Sequence, residues 1–178
     1  AGFKPHMNKQ LDSLIKISQY FGNNPDYIIA GGGNTSFKNQ DTLWVKASGV
    51  YLADIGIEGF VMLSREKLRA METKDYSKDP MLREQEVKND LIAATIAPEG
   101  LRPSVETSLH NLIEYPYVVH THMTLVNAMM CSNHAKEEVE TRFGADALYV
   151  EYTDPGYILF KKVQDRILKY REQFGKAP

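Results

Sequence analysis

Two histidines one residue apart are the most informative feature of this sequence. His120-Thr121-His122 follows the apolar run Tyr117-Val118-Val119. Along an extended strand, residues i and i+2 point to the same face. Both imidazoles would therefore enter one pocket. Neutral imidazole nitrogen suits zinc or a similar borderline divalent metal, at ~2.0–2.1 Å. The plainer alternative is two surface histidines at a strand end, although Val118-Val119 suggests that they emerge from a core. Upstream lies Ser104-Val105-Glu106-Thr107-Ser108-Leu109-His110. Glu106 falls in the first turn of a helix, where its charge interacts well with the helix dipole, so a plain capping carboxylate is one reading. His110 is four residues on, on the same helical face, and alone reads as a packed or hydrogen-bonded histidine. Beside a metal-bound carbonyl, the same carboxylate is a candidate general base. Its ordinary pKa of ~4.3 is low for that task, so burial is expected to raise it, opposed by the metal.

A second set of residues suits an anion. The glycine-rich GGGNTSFKN at 31–39 offers backbone N–H groups in a loop without bulky side chains. Such a loop can hold phosphate, as can Ser48-Gly49 and the helix N-terminus at Ser104. The loop lacks both GK[ST] and G-x-G-x-x-G, and a tight hairpin is the alternative.

These residues need a scaffold, and the periodicities describe an α/β one. Leu11, Leu14, Ile15, Ile17 and Phe21 recur at helical spacing from Met7 to Phe21. Gly22 and Asn23 stop that helix. Tyr27 to Ala30 is a short strand candidate, Thr42 to Lys46 a second across a turn at Asn39-Gln40-Asp41, and Phe60 to Leu63 a third. Ser64 caps a short helix. Pro80 starts a helix that runs through Ala97, with Met81, Leu82, Val87, Leu91, Ile92 and Ile96 as its buried stripe. A helix from Ser104 to Glu114 ends at Pro116. The strand Tyr117 to His120, a helix from Thr124 to Cys131 and a strand from Ala147 to Glu151 follow. A last amphipathic helix opens at Pro155 or Gly156 and reaches Phe174, with Ile158, Leu159, Val163, Ile167 and Leu168 inward. Strands with helices between them suit a helix-covered sheet.

Composition narrows the class of function. The 178 residues fit one compact domain. Hydrophobic residues make up 43% and charged residues 25%, which excludes a disordered chain. Lys+Arg 21 against Asp+Glu 23 leaves a charge of −2. No basic excess points to a nucleic-acid or membrane partner. The single cysteine, Cys131, has no internal disulfide partner, which favours a reducing compartment. No apolar run approaches the ~20 residues of a membrane span. The N-terminal AGFKPHMNKQ lacks the basic-then-apolar order of a secretory signal. A cytoplasmic protein is expected.

Taken in order, Gly33-Asn34-Thr35-Ser36, Lys46-x-Ser48-Gly49, Pro103-Ser104-x-Glu106-(three residues)-His110 and His120-Thr121-His122 resemble the class II aldolase/adducin family. The match runs from about residue 7 to the end. LWVKASGVYLADI and PSVETSLH are most similar to the rhamnulose-1-phosphate aldolase branch, often fused to a short-chain dehydrogenase. The resemblance implies a three-layer α/β/α fold around a mostly antiparallel sheet, and a homotetramer with sites at subunit interfaces. It implies a zinc-dependent lyase that cleaves a ketose 1-phosphate, such as rhamnulose or fuculose 1-phosphate, to dihydroxyacetone phosphate and lactaldehyde through a metal-stabilised enediolate. His120 and His122 become zinc ligands and Glu106 the catalytic acid/base. Asn34, Ser48, Gly49 and Ser104 fall where the family binds substrate phosphate, and Lys46 lies nearby with its role open. Val105 departs from the small hydroxyl residue that some members carry there. The family's third zinc ligand, a histidine in a His-Gly pair on a later strand, has no counterpart here, since His134 lies in the polar stretch Ser132 to Lys136. Residues 1–178 are therefore expected to be one such domain truncated at its C-terminal end, with the third histidine beyond Pro178. The alternatives are a sugar-phosphate epimerase or dehydratase of the family, and a non-catalytic adducin-like interaction domain.

Overall fold

The computed structural model describes residues 5–178. Residues 1–4, part of the stretch read for a secretory signal, lie outside the described residues. The chain forms two compact units, Ala1–His122 and Met123–Pro178.

The first unit is built on an antiparallel sheet. Its strands are β1 (Asn34–Lys38), β2 (Thr42–Lys46), β3 (Phe60–Ser64), β4 (Thr95–Ala97) and β5 (Tyr117–His120), in the order β4-β3-β2-β1-β5. The helices are α1 (Pro5–Gly22), α2 (Arg65–Glu72), α3 (Pro80–Ala94) and α4 (Thr107–Leu112). A mixed α/β fold with helices flanking an antiparallel sheet is the architecture the sequence motifs imply.

Register divides the side chains between the two faces. Phe37 pairs with Trp44 and Trp44 with Met62, so these three share one face. On that face Leu11 and Leu14 of α1 pack into a core with Phe37, Trp44, Leu52, Ile55 and Phe60. Phe37 stacks on Trp44 with centroids 5.5 Å apart. Each such buried side chain contributes about 1.5–3 kcal/mol. Leu43, Val45, Val61 and Leu63 bury on the other face, which α2, α3 and α4 cover. Asn34, Ser36 and Lys38 point to this second face. His120, the register partner of Asn34, points there too.

Several expectations of the sequence reading are corrected. Tyr27 to Ala30 is not a strand. It is a turn in which the amide of Ile28 donates to the Asn24 carbonyl, Ile28 is buried and Ile29 is two-thirds exposed. The strand lies four residues later, inside the segment read as a glycine-rich loop, because its polar side chains find partners in the interior. Thr35 Oγ1 lies 2.6 Å from Ser18 Oγ of α1, for example. The helix from Pro80 stops at Ala94, and Thr95, Ile96 and Ala97 pair with β3 instead. The available edge of β3 and the β-branched Thr95 and Ile96 override the helical period. Of its expected stripe, Val87 and Leu91 are buried, whereas Met81, Leu82, Ile92 and Ile96 are exposed.

The second unit contains α5 (Thr124–Met130), α6 (Ala135–Phe143) and α7 (Tyr157–Phe174). Ala135, Val139, Phe160, Ile167 and Tyr170 are its buried residues. Ala147 to Glu151, expected as a strand, is irregular here, and Glu151 instead takes an ion pair of 2.5 Å from Arg166 of α7. Ile158 and Leu168 of α7 are half exposed rather than inward. Gly175, at φ +67°, closes α7 with a left-handed cap. No helix among the described residues is long and apolar enough to cross a membrane.

Candidate active site

The site sits at one end of β1 and β5, on the sheet face covered by α4. Strand alternation carries Asn34 and His120 onto that face, and His122 follows two residues on. The two imidazole centroids are 4.8 Å apart, at an interplanar angle of 54°. The main-chain N–H of His122 donates to the Tyr27 carbonyl at 2.9 Å, which fixes the segment after β5. Glu106 precedes α4. Its amide donates to Ser104 Oγ at 3.2 Å, so Ser104 acts as a local cap. Its carboxylate faces the histidines, with Oε2 3.2 Å from His120 Nδ1. The same oxygen accepts a 2.5 Å hydrogen bond from Asn34 Nδ2.

Burial pushes the Glu106 carboxyl toward a higher pKa. The hydrogen bonds from His120 and Asn34, with the electrostatic influence of His120 and, least, of His110, outweigh it and hold the group at about 2. The rise expected from burial is therefore reversed, because the carboxylate is buried together with donors rather than alone. Glu106 is ionised at neutral pH.

His110, the residue read as a satisfied core histidine, is buried against β1. Its Nδ1 lies 2.7 Å from Ser36 Oγ, and its Nε2 contacts Asn34 Oδ1. Lys38 Nζ donates to the His110 main-chain carbonyl at 2.8 Å. Burial, reinforced by His120 and Lys38 and opposed by Glu106, pushes the His110 pKa down from 6.5 to about 3. His110 is thus neutral in the fold and protonated in the unfolded chain over the interval between those values. Its contribution to stability is complete above pH 6.5 and is lost as pH falls toward 3. Glu106 adds a second loss between its ordinary 4.5 and about 2. Urea denaturation at pH 7, 5 and 4 is expected to show a falling midpoint. In His110→Gln the fall between pH 7 and 5 should be much smaller.

The remaining residues of the sequence reading fall into two places. Asn34 is fully engaged between Glu106 and His110. Ser48, Gly49 and Ser104 come together instead, since Ala47 bridges Pro103 and the amide of Ser48 donates to the Arg102 carbonyl at 2.9 Å. Ser48 and Gly49 are exposed, and Gly49 has φ +83°. Lys46 spends its ammonium on the Val50 carbonyl at 2.7 Å. Gly33 positions the histidines in a way the sequence reading missed. Its φ is +68°, and a Cβ there would lie 2.7 Å from the His120 carbonyl oxygen and 2.8 Å from Ile28 Cδ1. Gly33→Ala is expected to cost about 1–3 kcal/mol of stability, read by urea denaturation, and to displace the His120 end of β5.

Two imidazoles held side by side offer borderline donors that match two positions of a divalent cation. Among the described residues no group of three His, Cys, Asp or Glu side chains converges so as to hold one. His134 is exposed in the second unit, where it contacts Glu137 at 3.2 Å.

The chain is similar to several known proteins. It is 29% identical over 168 residues to the uncharacterized oxidoreductase YuxG of Bacillus subtilis, covering 89% of this chain and 24% of that protein. It is 24% identical over 151 residues to a methylthioribulose-1-phosphate dehydratase of Leptospira interrogans, covering 81% of this chain and 52% of that one. The chain thus spans about a quarter and about half the length of these two relatives. The N-terminal class II aldolase domain of a conserved protein from Thermoplasma acidophilum superposes with a TM-score of 0.77 at 26% identity, over 93% of this chain and 76% of that chain. The family model for the class II aldolase and adducin N-terminal domain matches residues 12–175. With the sheet, the order of its motifs and this match in agreement, the chain belongs to the class II aldolase and adducin family.

Proposed function

We propose that this chain carries the site of a lyase that cleaves a ketose 1-phosphate, such as rhamnulose or fuculose 1-phosphate, to dihydroxyacetone phosphate and lactaldehyde. One observation carries the reading: an ionised carboxylate, Glu106, lies 3.2 Å from the nearer of two paired imidazoles in a chain of this family. His120 and His122 are the proposed ligands of a zinc or other divalent cation. With Nδ1 of His120 turned to Glu106, its Nε2 is the nitrogen left for the cation. A further donor is proposed from a third histidine beyond Pro178. A cation held there supplies Lewis-acid stabilisation of the negative charge that develops when a carbon–carbon bond beside a carbonyl breaks.

The chain's own residues do the rest. Glu106 takes and returns the proton at the substrate oxygen or carbon next to the carbonyl. Its basicity in the resting arrangement is low because His120 and Asn34 both donate to one oxygen. A substrate hydroxyl at Oε1 would find the free acceptor. Ser48, Gly49 and Ser104 are the proposed phosphate cradle, through the exposed Ser48 hydroxyl, the main-chain N–H of Gly49 and the hydroxyl proton of Ser104. Asn34, which the family resemblance places with the phosphate, is assigned here to Glu106 because both ends of its amide are engaged. A homotetramer in the cytoplasm, with residues 1–178 as one domain of a longer chain, completes the proposal.

The dehydratase relative favours a second reading, in which the same site eliminates water from a ketose 1-phosphate. Incubation of the cation-loaded protein with rhamnulose 1-phosphate separates the two by mass spectrometry. Cleavage yields two three-carbon products, whereas dehydration keeps every carbon in one product lighter by one water. Neither product, in the presence of zinc, manganese or cobalt, would reject the lyase proposal.

A further inference from the structure

The hydrogen bonds behind Glu106 have only one consistent direction. A carboxylate accepts and cannot donate, so the Asn34 atom facing Glu106 Oε2 is the amide nitrogen. The carbonyl oxygen of Asn34 must then face His110 Nε2. An amide oxygen also only accepts, so Nε2 carries the ring proton. The neutral ring is left with a bare Nδ1, and the hydroxyl of Ser36 donates to it across 2.7 Å. Ser36, His110 and Asn34 are all buried. Among the described residues, no buried side-chain nitrogen or oxygen lacks a partner.

We propose that Ser36, His110 and Asn34 form a one-way hydrogen-bond relay in which His110 is a positioning residue: its Nε2–H locks the Asn34 amide in the orientation that serves Glu106. The opposite amide orientation would set a carbonyl oxygen against a carboxylate, at a cost of both a lost hydrogen bond and a buried repulsion. Only the Nε2–H form of His110 selects against that orientation. Lys38 anchors the same histidine from its other side by binding its main-chain carbonyl, so the ring is held at the backbone and at both nitrogens. β1 and α4 thereby set the angle of the carboxylate together, Asn34 from the strand and His110 from the helix. That accounts for the burial of Asn34, Ser36 and Lys38 on the sheet face that also packs Leu43, Val45, Val61 and Leu63. The relay itself follows from the hydrogen-bond geometry together with the neutral state that burial imposes on His110. Its effect on turnover rests on the lyase reading.

Two measurements test the proposal separately. The first needs no substrate: two-bond ¹H–¹⁵N correlation on ¹⁵N-histidine-labelled protein, with the His110 signals assigned by their absence from His110→Gln. The expected result is a neutral Nε2–H tautomer at pH 7 that persists to pH 5. An Nδ1–H tautomer, or a protonated ring at pH 7, overturns the relay. The second uses Asn34→Leu, which is close in side-chain shape but can neither donate to Glu106 nor accept from His110. With rhamnulose 1-phosphate as substrate, kcat should fall about 10–100-fold while KM changes by less than about threefold. An unchanged kcat with a raised KM would mark Asn34 as a phosphate ligand and overturn its place in the relay. If the wild-type protein turns over no ketose 1-phosphate, the lyase reading fails and the tautomer still decides the relay.

Discussion

Glu106→Gln is expected to lower turnover of a ketose 1-phosphate by about 10²–10⁴-fold, the range for loss of a positioned proton-transfer group. The structure makes this substitution unusually clean. Asn34 Nδ2 and His120 Nδ1 both reach the same carboxylate oxygen, Oε2. A glutamine can present its single carbonyl oxygen to both donors, so the local hydrogen bonds survive. The ability to accept a proton is lost, together with one negative charge. The cation content of the purified protein should stay within a few-fold of wild type, while its denaturation midpoint at pH 7 should fall, because the fold favours the ionised carboxylate that glutamine lacks. Steady-state kinetics and metal analysis on one preparation measure both quantities. Wild-type turnover in this variant would remove Glu106 from the mechanism, and would favour its simpler role as a residue that holds His120.

Replacing His120 and His122 together by alanine tests the other half of the site. Cation affinity should fall by more than about 100-fold, since even a supporting residue outside the ligand set can cost that much. Lyase activity should fall with it. The fold should tolerate the change, because His120 is half-buried and His122 exposed, and neither belongs to the hydrophobic core. Isothermal titration with zinc or manganese, beside urea denaturation, separates lost binding from lost folding. Unaltered cation affinity in a folded double variant would place the metal elsewhere. Prolonged dialysis of the wild-type protein against a chelator should silence it in the same way, with recovery on adding the cation back.

Sequence periodicity revealed the parts of this fold that obey it. β2, β3 and β5 are apolar runs, and α1 and α7 carry helical stripes. The strand that matters most to the site obeys no such pattern. β1 reads Asn-Thr-Ser-Phe-Lys, and every one of its residues is buried. Hydropathy has no means of finding a strand whose buried positions are satisfied by Ser18, His110 and Glu106, residues distant in sequence. The site residues were readable for a different reason. His120 and His122 share a face by strand geometry alone, and the Glu106 helix start is marked by Pro103 and Ser104. What the sequence could not supply was the direction of Asn34. Its position among phosphate-binding motifs suggested one role, while tertiary packing gives its amide two other partners. The downward shift of the Glu106 pKa was hidden for the same reason, since burial is inferable from sequence and a pair of converging donors is not.

Among the described residues β5 ends the strand order and pairs with β1 only. Its four residues pair with Asn34, Thr35, Ser36 and Phe37. Local detachment of this short outer ribbon would carry His120, and His122 behind it, away from Glu106. Ser36, His110 and Asn34 would keep their own bonds meanwhile. Competence is thereby tied to one low-cost opening rather than to global unfolding. Amide exchange along 117–120 would then track the lifetime of the assembled centre, long before the rest of the sheet lets go.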